Sequence, residues 1–203
     1  TTPPPTQPLD ARLLVPPGAK IINANEADTD GDGVSEMLVI YQDVAGVGRG
    51  LVLKRAGAEV VTFHLGGAQA SELFRAGWTA STVRDINGDG RVEVMVEGRQ
   101  GEKGATLNIF RWDGQQYVSL LNLVGEDGIA IDDPQGNGTL EFAALDMLFK
   151  RSAIFRATEA LWQEGAYRKT SQVLFLLGAP RVFNHPEEAA LAYYTLLDRK
   201  EVD

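Results

Sequence analysis

The chain has no cysteine in 203 residues, so no disulfide framework, thiolate nucleophile or thiolate metal ligand can belong to its chemistry. Histidine is nearly as scarce. His64 lies in a predicted strand and His185 at a predicted helix start, and neither belongs to a nucleophile or metal motif. Positive charge is the next shortage: 19 Lys and Arg against 28 Asp and Glu leave a formal charge of −9. That balance argues against nucleic acid or an anionic membrane as partner, since both attract basic patches. No apolar run approaches the roughly 20 residues of a membrane-spanning helix. No signal peptide precedes Thr1, so an exported protein would have had its targeting segment removed. A phosphate-binding P-loop is also missing, and Gly46-Val47-Gly48-Arg49-Gly50 reads as a hairpin connection.

Oxygen ligands, by contrast, are plentiful and regularly spaced. Asp28-Thr29-Asp30-Gly31-Asp32-Gly33-Val34-Ser35-Glu36 and Asp85-Ile86-Asn87-Gly88-Asp89-Gly90-Arg91-Val92-Glu93 share one pattern. Side-chain oxygens at loop positions 1, 3, 5 and 9, with the backbone carbonyls of Val34 and Arg91 at position 7, suit a hard cation taking 6–8 oxygen ligands. Glycines at positions 4 and 6 allow the tight backbone such a loop needs. An EF-hand would carry Glu at position 12 and flanking helices, but Val39 and Val96 stand there and the following segments alternate like strands. The expected ion is therefore Ca²⁺ in a loop opening onto a strand, and the best-placed carboxylates are ligands rather than general acids or bases.

These residues resemble the FG-GAP/VCBS repeats of integrin-type β-propellers and many bacterial surface proteins, whose loops run D-x-[DN]-G-D-G-x-x-[DE] between strands. Glu36 and Glu93 stand where that family more often has Asp. The resemblance implies a calcium-binding, non-enzymatic module.

The two loops lie 85 − 28 = 57 residues apart, and the same offset carries the turn at Arg55–Val60 onto Trp112–Tyr117. One register therefore predicts strands at 21–25, 34–42, 50–55 and 59–65, then at 81–85, 91–98, 106–112 and 116–123. Asp113-Gly114 marks a hairpin between the last two. A third copy is eroded. Asp133-Pro134-Gln135-Gly136-Asn137-Gly138-Thr139-Leu140-Glu141 keeps the glycines and outer acids but replaces two carboxylates by amides, which predicts weak or vestigial binding through Asp133, Gln135, Asn137 and Glu141. Trp162 and Tyr167, spaced like Trp112 and Tyr117, continue the third repeat. The longer connection at 66–79 contains Leu73, Phe74 and Trp78, expected to cover a core.

At the N-terminus, six prolines within residues 1–17 predict an extended tether, 1–19, of the kind left below a bacterial signal sequence or lipid anchor. Beyond the repeats at 20–177 (20–65, 80–123, 128–177), Gly178-Ala179-Pro180 breaks the β pattern. Asn184-His185-Pro186-Glu187-Glu188 then opens a predicted helix with Ala190, Tyr193, Tyr194 and Leu197 as its apolar stripe. This ending, 178–203, resembles the first helix of the nuclear transport factor family and reads as a cover for a blade edge or the start of a further domain.

The expected fold is all-β: three four-stranded, propeller-like repeats with a short C-terminal helix. Three blades are fewer than the roughly 4–8 of closed propellers, so open edges need a cover or a second copy, which makes homo-oligomerisation one expected outcome. The expected function is a calcium-stabilised binding or scaffolding module of the bacterial cell envelope or exterior, with a protein or carbohydrate ligand. The alternative is an accessory domain of a secreted enzyme acting on polysaccharide or another hydrolysable substrate.

Overall fold

The computed structural model describes residues 9–56, 59–67, 71–100, 104–147 and 154–175. Among the described residues, twelve strands form three antiparallel four-stranded sheets, each built from consecutive strands. The first contains β1 (Lys20–Ala27), β2 (Glu36–Gln42), β3 (Gly48–Ala56) and β4 (Glu59–His64). The second contains β5 (Ala76–Arg84), β6 (Glu93–Gln100), β7 (Gly104–Trp112) and β8 (Tyr117–Gly125). β9 (Gly128–Asp132), β10 (Glu141–Met147), β11 (Ile154–Gln163) and β12 (Ala166–Phe175) form the third. The all-β architecture of three repeats is as expected, and the three sheets stack face to face as successive blades without closing into a barrel. The C-terminal helix expected from Asn184 onward lies outside the described residues.

The middle strands of blades one and two, and β10 of blade three, carry buried apolar residues on both faces, as a sheet covered on both sides requires, whereas β11 mixes the buried Ala157 and Ala160 with the exposed Arg156. One core lies between blades one and two, where Leu38, Ile40, Val52 and Leu65 meet Val94, Val96, Phe110 and Tyr117. A second lies between blades two and three, where Met95, Leu107, Ile109 and Leu121 meet Phe142, Ala144, Ala160 and Tyr167. The 66–79 connection contributes Leu73 and Phe74 to the first core. Phe74 fits because Gly48 and Gly98 carry no side chain: a Cβ at Gly48 would overlap its ring and one at Gly98 its Cβ. Its backbone is tied in as well: Gly48 donates to the Phe74 carbonyl at 2.8 Å, and Thr106 and Asn108 donate to the Leu73 carbonyl at 2.7 and 3.0 Å.

The segment expected to be a tether departs from that reading over its described part. Leu9, Ala11, Leu14 and Val15 pack on Val39, Tyr41, Leu51 and Leu53, covering the outer face of blade one. A 3-10 turn at Ala11–Leu13, with Asp10 Oδ1 accepting from the Arg12 N–H at 3.0 Å, gives this segment a fixed shape. β5 also starts earlier than expected, at Ala76, through an irregularity between Ala76 and Thr79.

Candidate metal centre

In each blade the loop between the first two strands takes the same backbone path. Asp28 accepts N–H bonds from Gly31 (2.7 Å), Asp32 (3.1 Å) and Gly33 (2.9 Å). Asp85 accepts from Asn87 (3.2 Å), Gly88 (2.8 Å) and Gly90 (2.8 Å), and Asp133 accepts from Asn137 (3.1 Å) and Gly138 (2.8 Å). Both glycines of every loop have positive φ: 79° and 85°, 73° and 82°, 63° and 84°. The eroded third loop therefore keeps the shape of the full ones. At Asp85, burial works to raise the carboxyl's pKa, but the surrounding N–H groups outweigh it and hold the group below the usual carboxylate range. Position 1 thus shapes the loop besides offering a ligand oxygen.

What fills the mouth of each loop differs. In the first, Lys54 of β3 inserts its ammonium among the acids. It bonds Asp30 and, at 2.6 Å, Asp32, and lies 3.7 Å from Glu36 Oε1. The Lys54 bond, followed by the Val34 N–H, lowers the Asp32 pKa. Burial would lower the Lys54 pKa, but its bonds to Asp30 and Asp32 prevail and leave it raised. Glu36 is fully buried, and its Oε2 accepts from the Thr29 N–H (2.9 Å) and hydroxyl (2.7 Å). Its Oε1 is buried with no hydrogen-bond partner. Carboxylate oxygens of Asp28, Asp30 and Glu36 lie within 4.8 Å of one another.

In the second loop the corresponding side chain is Arg111. Its Nε donates to Glu93 Oε1 at 2.7 Å, while Nη2 bonds the same oxygen and reaches Asp89 Oδ2 at 2.7 Å. The guanidinium also stacks on Trp162 of the next blade, 5.3 Å from the ring centre. Glu93 Oε2 accepts from the Ile86 N–H at 3.1 Å, and the Asn87 amide NH₂ lies 3.3 Å from Oε1. Burial is the largest influence on the Glu93 carboxyl and pushes its pKa up, against the pull of the Ile86 N–H and Arg111.

The third loop has amide donors in place of a cationic side chain. Gln135 Nε2 donates to Glu141 Oε1 at 3.1 Å, and the Asn137 amide reaches the Gln135 oxygen at 3.4 Å. One step beyond the Phe142–Ala160 pair, Leu161 stands where the other blades have Lys54 and Arg111.

The next blade roofs each full loop. Tyr117 of blade two donates to Thr29 Oγ1 at 2.5 Å, completing a chain from Tyr117 through Thr29 to Glu36. Tyr167 of blade three occupies the related place over the second loop. There Ile86 replaces Thr29, and the buried Tyr167 hydroxyl has no partner.

Lys54, Arg111, Thr29 and Tyr117 were not among the site residues the sequence reading selected, Tyr117 being read there only as a marker of the repeat. A signal for the two cations was present, since 54 − 28 and 111 − 85 both equal 26. Of the expected position-7 residues, Val34 donates its N–H to Asp32 Oδ1 at 2.8 Å and Arg91 donates to Asp89 Oδ1 at 3.0 Å. His64 lies at the end of β4 with a buried, unpartnered Nδ1, and His185 lies outside the described residues. Comparison with models of known families, with curated proteins and with solved structures finds no match to this chain.

Calcium chemistry fits the first loop. Three carboxylates converge there, and Glu36 Oε1 accepts no hydrogen bond, its cationic neighbour being Lys54 Nζ at 3.7 Å, which leaves that oxygen able to ligate a hard cation. The second loop fits less well, because Glu93 Oε1 and Asp89 Oδ2 both accept from Arg111 and Glu93 Oε2 accepts from Ile86.

Proposed function

We propose that the protein is a non-enzymatic, calcium-stabilised binding or scaffolding module of the bacterial cell surface, of the FG-GAP/VCBS kind. The observation that carries the calcium reading is the first loop, where carboxylate oxygens of Asp28, Asp30 and Glu36 converge and the buried Glu36 Oε1 accepts no hydrogen bond. Asp28, Asp30, Asp32 and Glu36, with the Val34 carbonyl, are the proposed ligands. The ion would neutralise a cluster of four acids beside the seam between blades one and two, so its binding would strengthen the stack of blades. The surface placement rests on the resemblance of the loops. A protein or carbohydrate is the proposed ligand of the module, because a net charge of −9 disfavours polyanions. Among the described residues no helix is long and apolar enough to cross a membrane.

The test is thermal unfolding of chelator-treated protein before and after calcium is restored. A site with a dissociation constant of about 0.1 mM would add roughly 1.4 kcal/mol at about 1 mM calcium and raise the melting temperature. Asp30→Asn should abolish the rise, and Mg²⁺ should substitute poorly because it demands a smaller, near-octahedral shell. An unchanged melting temperature in demonstrably metal-free protein would sink the calcium reading.

A further inference from the structure

We propose that Arg111 is the resident cation of the second loop, which is permanently closed by its guanidinium, and that only the first loop exchanges its internal cation for a divalent ion. The first-loop half of this statement rests on the calcium reading above; the Arg111 half does not. Three differences between the loops support the division. Lys54 is a point charge on a flexible stem, with a side chain 28% exposed, so it can swing into water when an ion arrives. Arg111 is 11% exposed, grips Glu93 and Asp89 together, and is pressed on Trp162, so its release would break bonds on both sides of the blade seam.

Charge is the second difference. The first loop has four acids against one ammonium, whereas Asn87 leaves the second with three acids against one guanidinium. The third is the state of the ninth-position glutamate. Glu36 keeps an oxygen without a hydrogen bond, while both Glu93 oxygens accept bonds from the protein. A cation entering the second loop would have to displace Arg111 from a fully buried carboxylate, with less negative charge to attract it.

Calcium uptake by the whole chain and its variants, measured by isothermal calorimetry, decides the matter. The parent should bind one equivalent, and Arg111→Met should bind two, the added one being lost again on further substitution of Asp89 by Ala. Lys54→Met should leave the number at one but bind roughly tenfold more tightly, because a competing positive charge has gone. If Arg111→Met folds only when calcium is present, as followed by circular dichroism, that also supports the proposal. Arg111→Lys, which keeps the charge but recreates the first loop's exchangeable ammonium, should gain a weaker second equivalent and decides the question if Arg111→Met does not fold at all. Two equivalents in the parent, one of them removed by Asp89→Ala, would overturn the proposal. So would folded Arg111 variants that gain none. A parent that binds no calcium would defeat the first-loop reading and with it the exchange of Lys54; the gain or lack of a site in the Arg111 variants still decides the role of Arg111.

Discussion

The first and second loops share a backbone path, a ligand pattern and a place in their blades, yet each has its own way of neutralising buried acid. In the first, Lys54 covers the cluster from a partly exposed position and Thr29 links Glu36 to Tyr117. In the second, Arg111 clamps a fully buried Glu93, and Ile86 leaves Tyr167 without a partner. The comparison shows that the shared sequence pattern specifies a loop shape, while the residue opposite it on a neighbouring strand sets which side chain sits among the loop's acids. The third loop extends the point. It keeps the shape with Leu161 opposite, and Gln135 bonds Glu141 in place of a cation.

Removing each internal cation in chelator should have the largest effect. Arg111→Met leaves Glu93 buried and without its charge partner, which should cost about 3 kcal/mol in urea unfolding. Lys54→Met removes a cation that is itself more exposed and is shared with the open Asp32 as well as the buried Asp30 and Glu36, so it should cost less, about 2 kcal/mol. Equal losses would mean that the difference in burial between the two pairs has no energetic consequence.

The roofing tyrosines should differ in sign. Tyr117→Phe removes a donor from the chain through Thr29 to Glu36 and should destabilise by about 1 kcal/mol. Tyr167→Phe removes a buried hydroxyl that has no partner, so it should be neutral or stabilising by up to about 1 kcal/mol. Ile86→Thr would sharpen this contrast, because in that background Tyr167→Phe should become destabilising. If both Phe variants lose the same stability in otherwise unmodified protein, the two seams are equivalent despite their different second residues.

Much of the repeat was legible because it is local. Glycines at fixed offsets set the loops, and Asp113-Gly114 marks a turn in which Asp113 Oδ1 accepts from the Gln115 and Gln116 N–H groups at 2.8 and 2.9 Å. Strand starts were misplaced for an equally local reason. Val34 and Arg91 were expected to begin strands, but their N–H groups are taken by the side chains of Asp32 and Asp89, and the ladders begin at Glu36 and Glu93. The packing of Leu9, Ala11 and Leu14 was hidden by the prolines around them. Lys54 was hidden differently: it belongs to no local motif, and only the shared 26-residue offset from loop to cation distinguishes it.

The smallest expected effect comes from giving the third loop the acids of the first, by the double substitution Gln135→Asp and Asn137→Asp. Asp133 and Glu141 are already in place, and both glycines hold the required backbone. Since Leu161 supplies no positive charge, nothing in that loop would compensate the added repulsion. The variant should lose about 0.5 kcal/mol in chelator, the scale of partly exposed charge interactions. Calcium should reverse the loss and bind without a lysine to displace. An equal loss with and without calcium would show that the shared backbone path is insufficient to gather an ion, and that the roof over Asp28, Asp30 and Glu36, formed by Thr29 and Tyr117, is part of what makes the first loop fit one.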